Sequence, residues 1–287
     1  MSNLLNKRLA RSLWRTKPRL FAVVMMVAVG VFAGITFSGY SHNLDGMYET
    51  LHGDDDEGAN LADMWIDNRS TTWSHEEVMN FCSALEASWP ADMDELDSCE
   101  GRTIVQGTMF HSKDGGTQII NSLWHGIPEF ANADRVWMPS GHSEGRVASA
   151  ADEIVIDAHV VDALDLSLGD TVHIGAGSSP VEFSIVGIGY HPLHVFMAPE
   201  GSIFPPEPGQ YVVGYVSDSG MARLTNSTIG NSNTILLDVE GTPSFDLPDT
   251  EEYEGDEIDS VRNLVSRALE NAELDLSLIH ISEPTRL

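Results

Sequence analysis

The sequence predicts an α+β protein in which one N-terminal transmembrane helix precedes an extracytoplasmic domain. Three observations lead to this fold class. The charges are divided along the chain, because residues 1–44 contain six Lys/Arg and no acid, whereas all 44 Asp/Glu follow. An uncharged apolar stretch at residues 20–40 separates the two parts. The remaining chain mixes apolar segments of period two, typical of strands, with segments of helical spacing.

Residues 20–40 are predicted to cross the membrane. These 21 residues carry no charge, and as an α-helix they would span roughly 30 Å, about the hydrocarbon thickness of a bilayer. The basic residues before them place the N-terminus in the cytoplasm and residues 41–275 outside the cell membrane. The alternative is a cleaved signal peptide, for which Val31-Phe32-Ala33 offers a small-residue cleavage site.

Residues 1–19 form a basic stub with an amphipathic pattern. The residues nearest the predicted span are Trp14, Arg15, Lys17 and Arg19. We expect them to lie at the cytoplasmic interface, with the indole near the headgroups and the cations toward anionic lipid. Membrane lipid is therefore a predicted partner, and docking of a cytoplasmic protein is compatible with it.

The composition of the outer part excludes two classes of function. From Asp45 onward there are 44 acids against nine Lys/Arg, so nucleic acid is not a predicted partner, because its phosphates would be repelled. None of the three lysines of the chain lies in a Gly-x-x-x-x-Gly-Lys-[Ser/Thr] loop. ATP hydrolysis, a cofactor and a metal site are not predicted.

Cys82 and Cys99 are the two cysteines of the chain, and both follow the predicted span. Disulfides persist outside the cytoplasm. A disulfide between them is therefore predicted, with two unpaired thiols as the alternative.

The first block of the outer part is predicted to be strand, helix, strand, strand. Ala62–Asp67 is the first strand, and Ser74 with Glu77 forms a capping box for a helix that ends near residue 88. Thr103–Phe110 and Gln118–Trp124 are predicted to pair as a hairpin.

The rest of the outer part continues the mixed pattern. The predicted strands are Glu153–Asp157, Thr171–Ile174, Val181–Ile185, Gln210–Val216 and Thr234–Val239. The predicted helices are Ala158–Leu164 and Ile258–Ala272, and Thr250–Asp259 is predicted to be an acidic linker.

Two short motifs suggest chemistry, and their contexts argue against it. Ser143 lies in a literal Gly-x-Ser-x-Gly, but a serine hydrolase needs a strand directly before this motif and a helix directly after it. Pro139 interrupts the strand that should precede the motif, and the residues after the motif are too loop-like to form the helix. His191 and His194 have a spacing that could ligate a metal, but Pro192 prevents a regular helical face.

The chain resembles the extracytoplasmic core domain of MacB/FtsX-type ABC transporter permeases over about residues 8–275. The resemblance lies in the order and spacing of several segments. They are the basic stub with the first apolar helix, Ala62–Asp67, Leu123–Pro128, Glu144–Arg146, Glu153–Asp157, Leu166–Val172 and Phe183–Ile188.

The resemblance implies a discontinuous mixed α/β porter-like lobe, at about residues 60–150 and 210–275, with a β-rich lobe inserted at about 151–209. It also implies a non-enzymatic permease subunit whose outer domain relays ATP-driven conformational change from a cytoplasmic ABC ATPase. The cargo would be a lipid, lipoprotein, peptide or drug. A homodimer or a second permease subunit is the further expected partner.

Residues 276–287 need a separate interpretation. Leu276–Arg286 resembles the translated end of a sequencing adapter, so we expect these residues to be an artefact and the chain to be an N-terminal fragment. The competing function is a single-pass, membrane-anchored binding or sensor module. The remote alternative is a serine hydrolase at Ser143.

Overall fold

The computed structural model describes residues 17, 21–36, 58–68, 71–91, 95–113, 116–177, 179–194, 206–239, 255–271 and 278–281. The chain divides into two compact units, Met1–Glu49 and Thr50–Leu287. In the first, residues 21–36 form a helix, α1, with exposed apolar side chains. Within the described ranges, no helix has both the length and the apolar character needed to cross a membrane. Part of the predicted span, residue 20 and residues 37–40, lies outside these ranges.

The second unit contains a mixed sheet and α-helices, which confirms the α+β class predicted for it. The strands are β1 (Met64–Asp67), β2 (Leu96–Lys113), β3 (Gly116–Ile127), β4 (Glu144–Gly145), β5 (Glu153–Asp157), β6 (Thr171–Gly175), β7 (Val181–Gly189), β8 (Tyr211–Ser217), β9 (Thr234–Val239) and β10 (Leu278–Ile281). The helices are α2 (His75–Ser88), α3 (Ala158–Leu164), α4 (Asp218–Thr225) and α5 (Gly255–Asn271), with a 3-10 turn at Pro192–His194.

The strands β10, β1, β9 and the first half of β2 form a four-stranded antiparallel sheet in that order. With α2 and α5 they constitute the α/β lobe, which has the strand order of a ferredoxin-like, split βαβ arrangement. Helix α2 begins where predicted, because the Ser74 side chain accepts from the Glu77 amide and the Glu77 carboxylate accepts from the Ser74 amide. The two helices share one apolar core with the sheet, built around Phe81, Leu85 and Val265.

The other strands close into a barrel. The second half of β2 pairs with β3, β3 with β8, β8 with β5, β5 with β7, β7 with β6, and β6 pairs back to β2 at residues 108–110. Such closure leaves no free edge between these six strands. The Trp124 ring is fully buried inside, where it donates from Nε1 to the Gly175 carbonyl at 3.2 Å. Gly107 and Gly214 face this ring, and a Cβ at either position would collide with it.

Strand β2 joins the two lobes without interruption over 18 residues. Its part from Leu96 to Arg102 pairs with β9 in the α/β lobe, and its part from Thr103 to Lys113 pairs with β3 in the barrel. The strand pairing therefore differs from the predicted lobe boundaries, since residues 103–127 and β8 pair within the barrel. The reason is that periodicity identifies a strand without identifying its partner.

Two further elements differ from the sequence-based expectation. Helix α4 was not predicted, although Ser217 caps its first turn by accepting from the Gly220 amide. The predicted acidic linker at 250–259 is corrected for its second half, because α5 already begins at Gly255. Residues 250–254 lie outside the described ranges.

Candidate functional site

A buried group of polar side chains lies where the barrel meets the α/β lobe. On the barrel side it starts with His125, which lies beside Tyr215 in the parallel pairing of β3 with β8. Because side chains alternate along a strand, His125 points away from the lumen that its neighbour Trp124 fills. His125 is 3% exposed and Tyr215 is 1% exposed, so both rings are enclosed on this outer face of the barrel.

Two more histidines cover this face. His191 follows β7, and His194 ends the 3-10 turn. The Nε2 atoms of His125 and His194 are 2.8 Å apart, which is a hydrogen-bond distance. The His191 ring stacks on His125 with centroids 4.8 Å apart and on Tyr215 at 5.4 Å. We call His125, His191 and His194 the histidine cluster.

The histidine cluster is held neutral by its surroundings. Burial lowers the pKa of His125 and of His191 well below the ordinary value, and neighbouring positive charge lowers both further. Burial also lowers the pKa of His194 to about 4. The three rings are therefore neutral imidazoles at pH 7, each with one N–H donor and one acceptor nitrogen.

A carboxylate completes the barrel side of the network. Asp157 ends β5, is fully buried and caps α3 by accepting from the His159 amide at 3.0 Å. The Tyr215 hydroxyl donates to its other oxygen at 3.1 Å, while His159 Nδ1 lies 2.7 Å from the first. The hydrogen bond to Asp157 raises the pKa of His159, and burial raises the pKa of Tyr215 well above its usual value.

On the α/β side the network continues through Arg102, the last β2 residue paired with β9. Arg102 is 2% exposed, and its Nη2 donates to the Ala133 carbonyl and lies 3.4 Å from Glu100 Oε2. The Glu100 carboxylate in turn accepts from the Asn132 and Ala133 amides. Within the described residues, Arg102 Nε and Nη1 have no hydrogen-bond partner. Burial lowers the pKa of the guanidinium.

Asp134 connects the two sides. Its carboxylate accepts from the Ala62 amide at 2.8 Å and from Trp65 Nε1 at 2.9 Å, both in or next to β1. The Asp134 backbone also raises the pKa of the neighbouring His191 ring. Polar groups therefore extend from β1 and β2, through the loop containing Asp134, to the histidine cluster on the barrel wall.

Within the described ranges, no three His, Cys, Asp or Glu side chains surround a common metal position. In the histidine cluster, His191 Nδ1 accepts from the Leu193 amide at 3.3 Å, so this nitrogen is already in use.

The residues singled out from the sequence fall in different places. Cys82 on α2 and Cys99 on β2 are joined by a disulfide. Of the interface residues, Lys17 is described and exposed, whereas Trp14, Arg15 and Arg19 lie outside the described residues.

Ser143 lies in a turn followed by the two-residue strand β4, and its Oγ donates to the Pro139 carbonyl at 2.9 Å. A nucleophile elbow requires a helix at this point.

Sequence reasoning missed His125, Asp157 and Tyr215 as members of one site. A buried acid directly after the apolar residues of β5 was a signal for Asp157. Nothing local indicated that β3, β5, β8 and the 3-10 turn would meet.

No family profile and no curated protein matches the chain. Three solved structures are similar in fold. The periplasmic region of MacB from Actinobacillus actinomycetemcomitans has a TM-score of 0.41 and 10% identity, covering 76% of this chain and 87% of that one. The extracellular domain of the noncanonic ABC-type transporter YknZ from Gram-positive bacteria has a TM-score of 0.39 and 14% identity, covering 77% and 98%. A domain assigned to a permease from Porphyromonas gingivalis has a TM-score of 0.32 and 14% identity, covering 66% and 82%.

Proposed function

We propose that this chain is the N-terminal part of an ABC transporter permease subunit of the MacB/FtsX type. Its outer domain relays ATP-driven movement in the export or extraction of a lipid, lipoprotein, peptide or drug. The observation that carries the relay is the continuity of β2, whose 18 residues belong to both lobes. Its first half pairs with β9 in the α/β lobe and its second half pairs with β3 and β6 in the barrel, so a displacement of the α/β lobe moves the barrel with it.

The charge division supports the membrane arrangement in this proposal. Residues 20–40 cross the cell membrane, residues 1–19 remain in the cytoplasm with Trp14, Arg15, Lys17 and Arg19 at the lipid interface, and residues 41–275 lie outside. The exposed apolar side chains of α1 are the surface that lipid would contact.

The energy source in this proposal is a separate cytoplasmic ABC ATPase, because the sequence lacks a phosphate-binding loop with its lysine. A second copy or a second permease subunit would complete the transport path. In the porter-like interpretation, the α/β lobe is the discontinuous lobe that β1, α2, β9 and α5 build, and the barrel is the inserted β-rich lobe.

The buried polar path supports the stiffness that a relay needs. Arg102 and Asp134 fix the loop between β3 and β4 to the α/β lobe, and the backbone hydrogen bonds between Trp137 and Tyr190 fix it to the barrel. Separating the lobes would leave a buried guanidinium and a buried carboxylate without these partners, and such exposure of unpaired groups is costly.

The test measures two distances in the subunit, co-produced with a cytoplasmic ABC ATPase from the same source and placed in nanodiscs. One fluorophore pair spans the lobes, on Glu76→Cys in α2 and His173→Cys in β6, both exposed positions. The second pair joins the His173→Cys label to acceptor lipids at the membrane surface. Trapping the ATPase with ATP and vanadate should change the second transfer efficiency and leave the first unchanged.

Three other results would contradict the proposed relay. A change across the lobes would show that they move against each other, and the stiff relay would be wrong. If the ATPase binds and turns over but neither distance changes, no movement is relayed. If the co-produced ATPase does not associate with the subunit at all, the anchored binding or sensor module becomes the better account.

A further inference from the structure

We propose that the histidine cluster is an acid-sensitive latch that holds the Pro192–His194 turn on the barrel wall at neutral pH and releases it on acidification. This inference does not depend on the transport function, because it concerns only contacts within the outer domain.

The latch follows from the number of hydrogens that the contacts can accommodate. The 2.8 Å contact between His125 Nε2 and His194 Nε2 has room for one hydrogen, so one of the two nitrogens must be an unprotonated acceptor. The contact between the Leu193 amide and His191 Nδ1 likewise requires an unprotonated Nδ1. Protonation of both rings of the first pair, or of His191, places two hydrogens between the same two atoms and breaks the contact.

The charges around the cluster disfavour protonation while the turn is closed. Arg102 on β2 acts as a positive charge on both His125 and His191, although Glu100 on β2, Asp134 and Asp218 on α4 partly offset its charge. The Asp134 carboxylate, from the loop, is already committed to Ala62 and Trp65.

The remaining elements around the cluster add one negative charge that favours protonation, the Asp157 carboxylate. Asp157 on β5 attracts a proton to His194, but its oxygens already accept from Tyr215 on β8 and from His159 on α3. His159 lies at the surface with 42% exposure, and its own pKa is raised, so acid adds a second positive charge beside Asp157. The first proton therefore binds to His194. Further protons on the histidine cluster would face the carboxylates of Asp134 and Asp157, which already accept other hydrogen bonds.

Proton linkage gives the direction and steepness of the effect. The released histidines titrate near pH 6.5, whereas the closed cluster binds protons only at lower pH, so the closed state loses stability as the pH falls below 6.5. Each histidine can favour release by up to about tenfold per pH unit, and three by up to about 10³-fold. A latch that is closed at pH 7 can therefore open above the closed-state pKa of His194, which is about 4.

The experiment is hydrogen–deuterium exchange of the full chain in detergent between pH 7.5 and 4.5, corrected for the intrinsic pH dependence of exchange. The reporters are the amides of Leu193 and His194, which bond to the His191 ring and the His191 carbonyl. Their protection should fall by at least tenfold between pH 6.5 and 4.5, while the amides of α2 stay protected.

Two variants separate the latch from general acid effects. His194→Gln keeps a group that can donate to His125 but cannot take up a proton. The decrease of its protection with pH should therefore correspond to the uptake of about one proton fewer than in the original chain. His173→Gln removes an exposed histidine, 52% accessible, and should behave as the original chain. Unchanged protection of the turn at pH 4.5 would overturn the latch, as would equal slopes in the two variants. If acid unfolds the whole domain first, the His194→Gln variant must unfold at a lower pH than the original, and an identical midpoint would also overturn it.

Discussion

The packing of Trp124 inside the barrel gives a quantitative test of the fold. In a Gly214→Ala variant, the new Cβ would lie 2.7 Å from Cζ3 and 3.0 Å from Cε3 of the indole, and 3.1 Å from Ile154 Cδ1. Ordinary carbon contacts begin near 3.4 Å, so the ring must move by about 0.7 Å within a closed, filled lumen. Overpacking of this kind costs about 1–3 kcal/mol. Replacing glycine in a strand returns about 0.5 kcal/mol, so we expect a net loss of about 1–2 kcal/mol.

A second substitution should relieve this cost. Trp124→Leu removes both ring atoms that the new methyl group meets, so Gly214→Ala in that background should be neutral or slightly stabilising. The coupling free energy between the two sites should then be about 2 kcal/mol, within the range for residues in direct contact. The measurement is the free energy of unfolding in urea, followed by far-UV circular dichroism because the variant removes one of the six tryptophans.

Gly107 provides the matched control for this double-mutant cycle. A Cβ there would lie 2.1 Å from the Gly175 carbonyl oxygen on β6, as well as 2.3 Å from Trp124 Nε1. Truncation of the indole cannot remove a collision with the backbone, so Gly107→Ala should stay destabilising in the Trp124→Leu background. Equal costs of Gly214→Ala in both backgrounds would refute the proposed contact, and relief of Gly107→Ala by Trp124→Leu would refute the β2–β6 closure.

Three further outcomes are expected. Replacing Cys82 and Cys99 by serine should lower the unfolding free energy by about 3 kcal/mol, because the bridge closes a loop with a sequence separation of 17; a urea midpoint that reductant and substitution both leave unchanged would contradict the disulfide. Glu153→Gln should lower the urea midpoint at pH 7, because hydrogen bonds from Arg146 and from two backbone amides lower the pKa of this carboxyl. That loss should begin to shrink as the pH falls below about 4.5, where the glutamate becomes neutral in the unfolded chain, and should disappear only when the pH falls through the much lower pKa of the folded carboxyl; a loss that stays constant in acid would point to packing instead. Ser143→Ala should not alter hydrolysis of p-nitrophenyl acetate, and a fall to the buffer rate would revive the hydrolase.

The elements that sequence reasoning predicted well are those whose signals are local. The capping box of Ser74 and Glu77 has both halves within one helical turn, and the β2–β3 hairpin joins neighbouring segments. The alternation in β7 likewise states which side chains are buried without reference to any other strand. In each case the atoms that interact are only a few residues apart, so the pattern and the contact coincide.

The lobe boundaries and the site depend on contacts that no local pattern contains. Closure of the barrel rests on three residue pairs between β2 and β6, such as Thr108 with Gly175. The histidine cluster joins residues separated by 69 positions, His125 and His194. Pro192 begins the 3-10 turn that ends at His194, and the partner of His194 in this cluster lies on another strand.

Strand β10 pairs with β1 through backbone groups, and this pairing says nothing about the origin of the β10 sequence. Leu278–Ile281 pairs with β1 over four residues, although residues 276–287 are predicted to be an artefact, and that prediction remains untested. The two statements are compatible, because strand addition uses N–H and C=O groups that every residue except proline supplies. β1 pairs with β9 on one side only, so its other edge accepts a short β-prone segment whatever its origin. The pairing is therefore a property of the β1 edge.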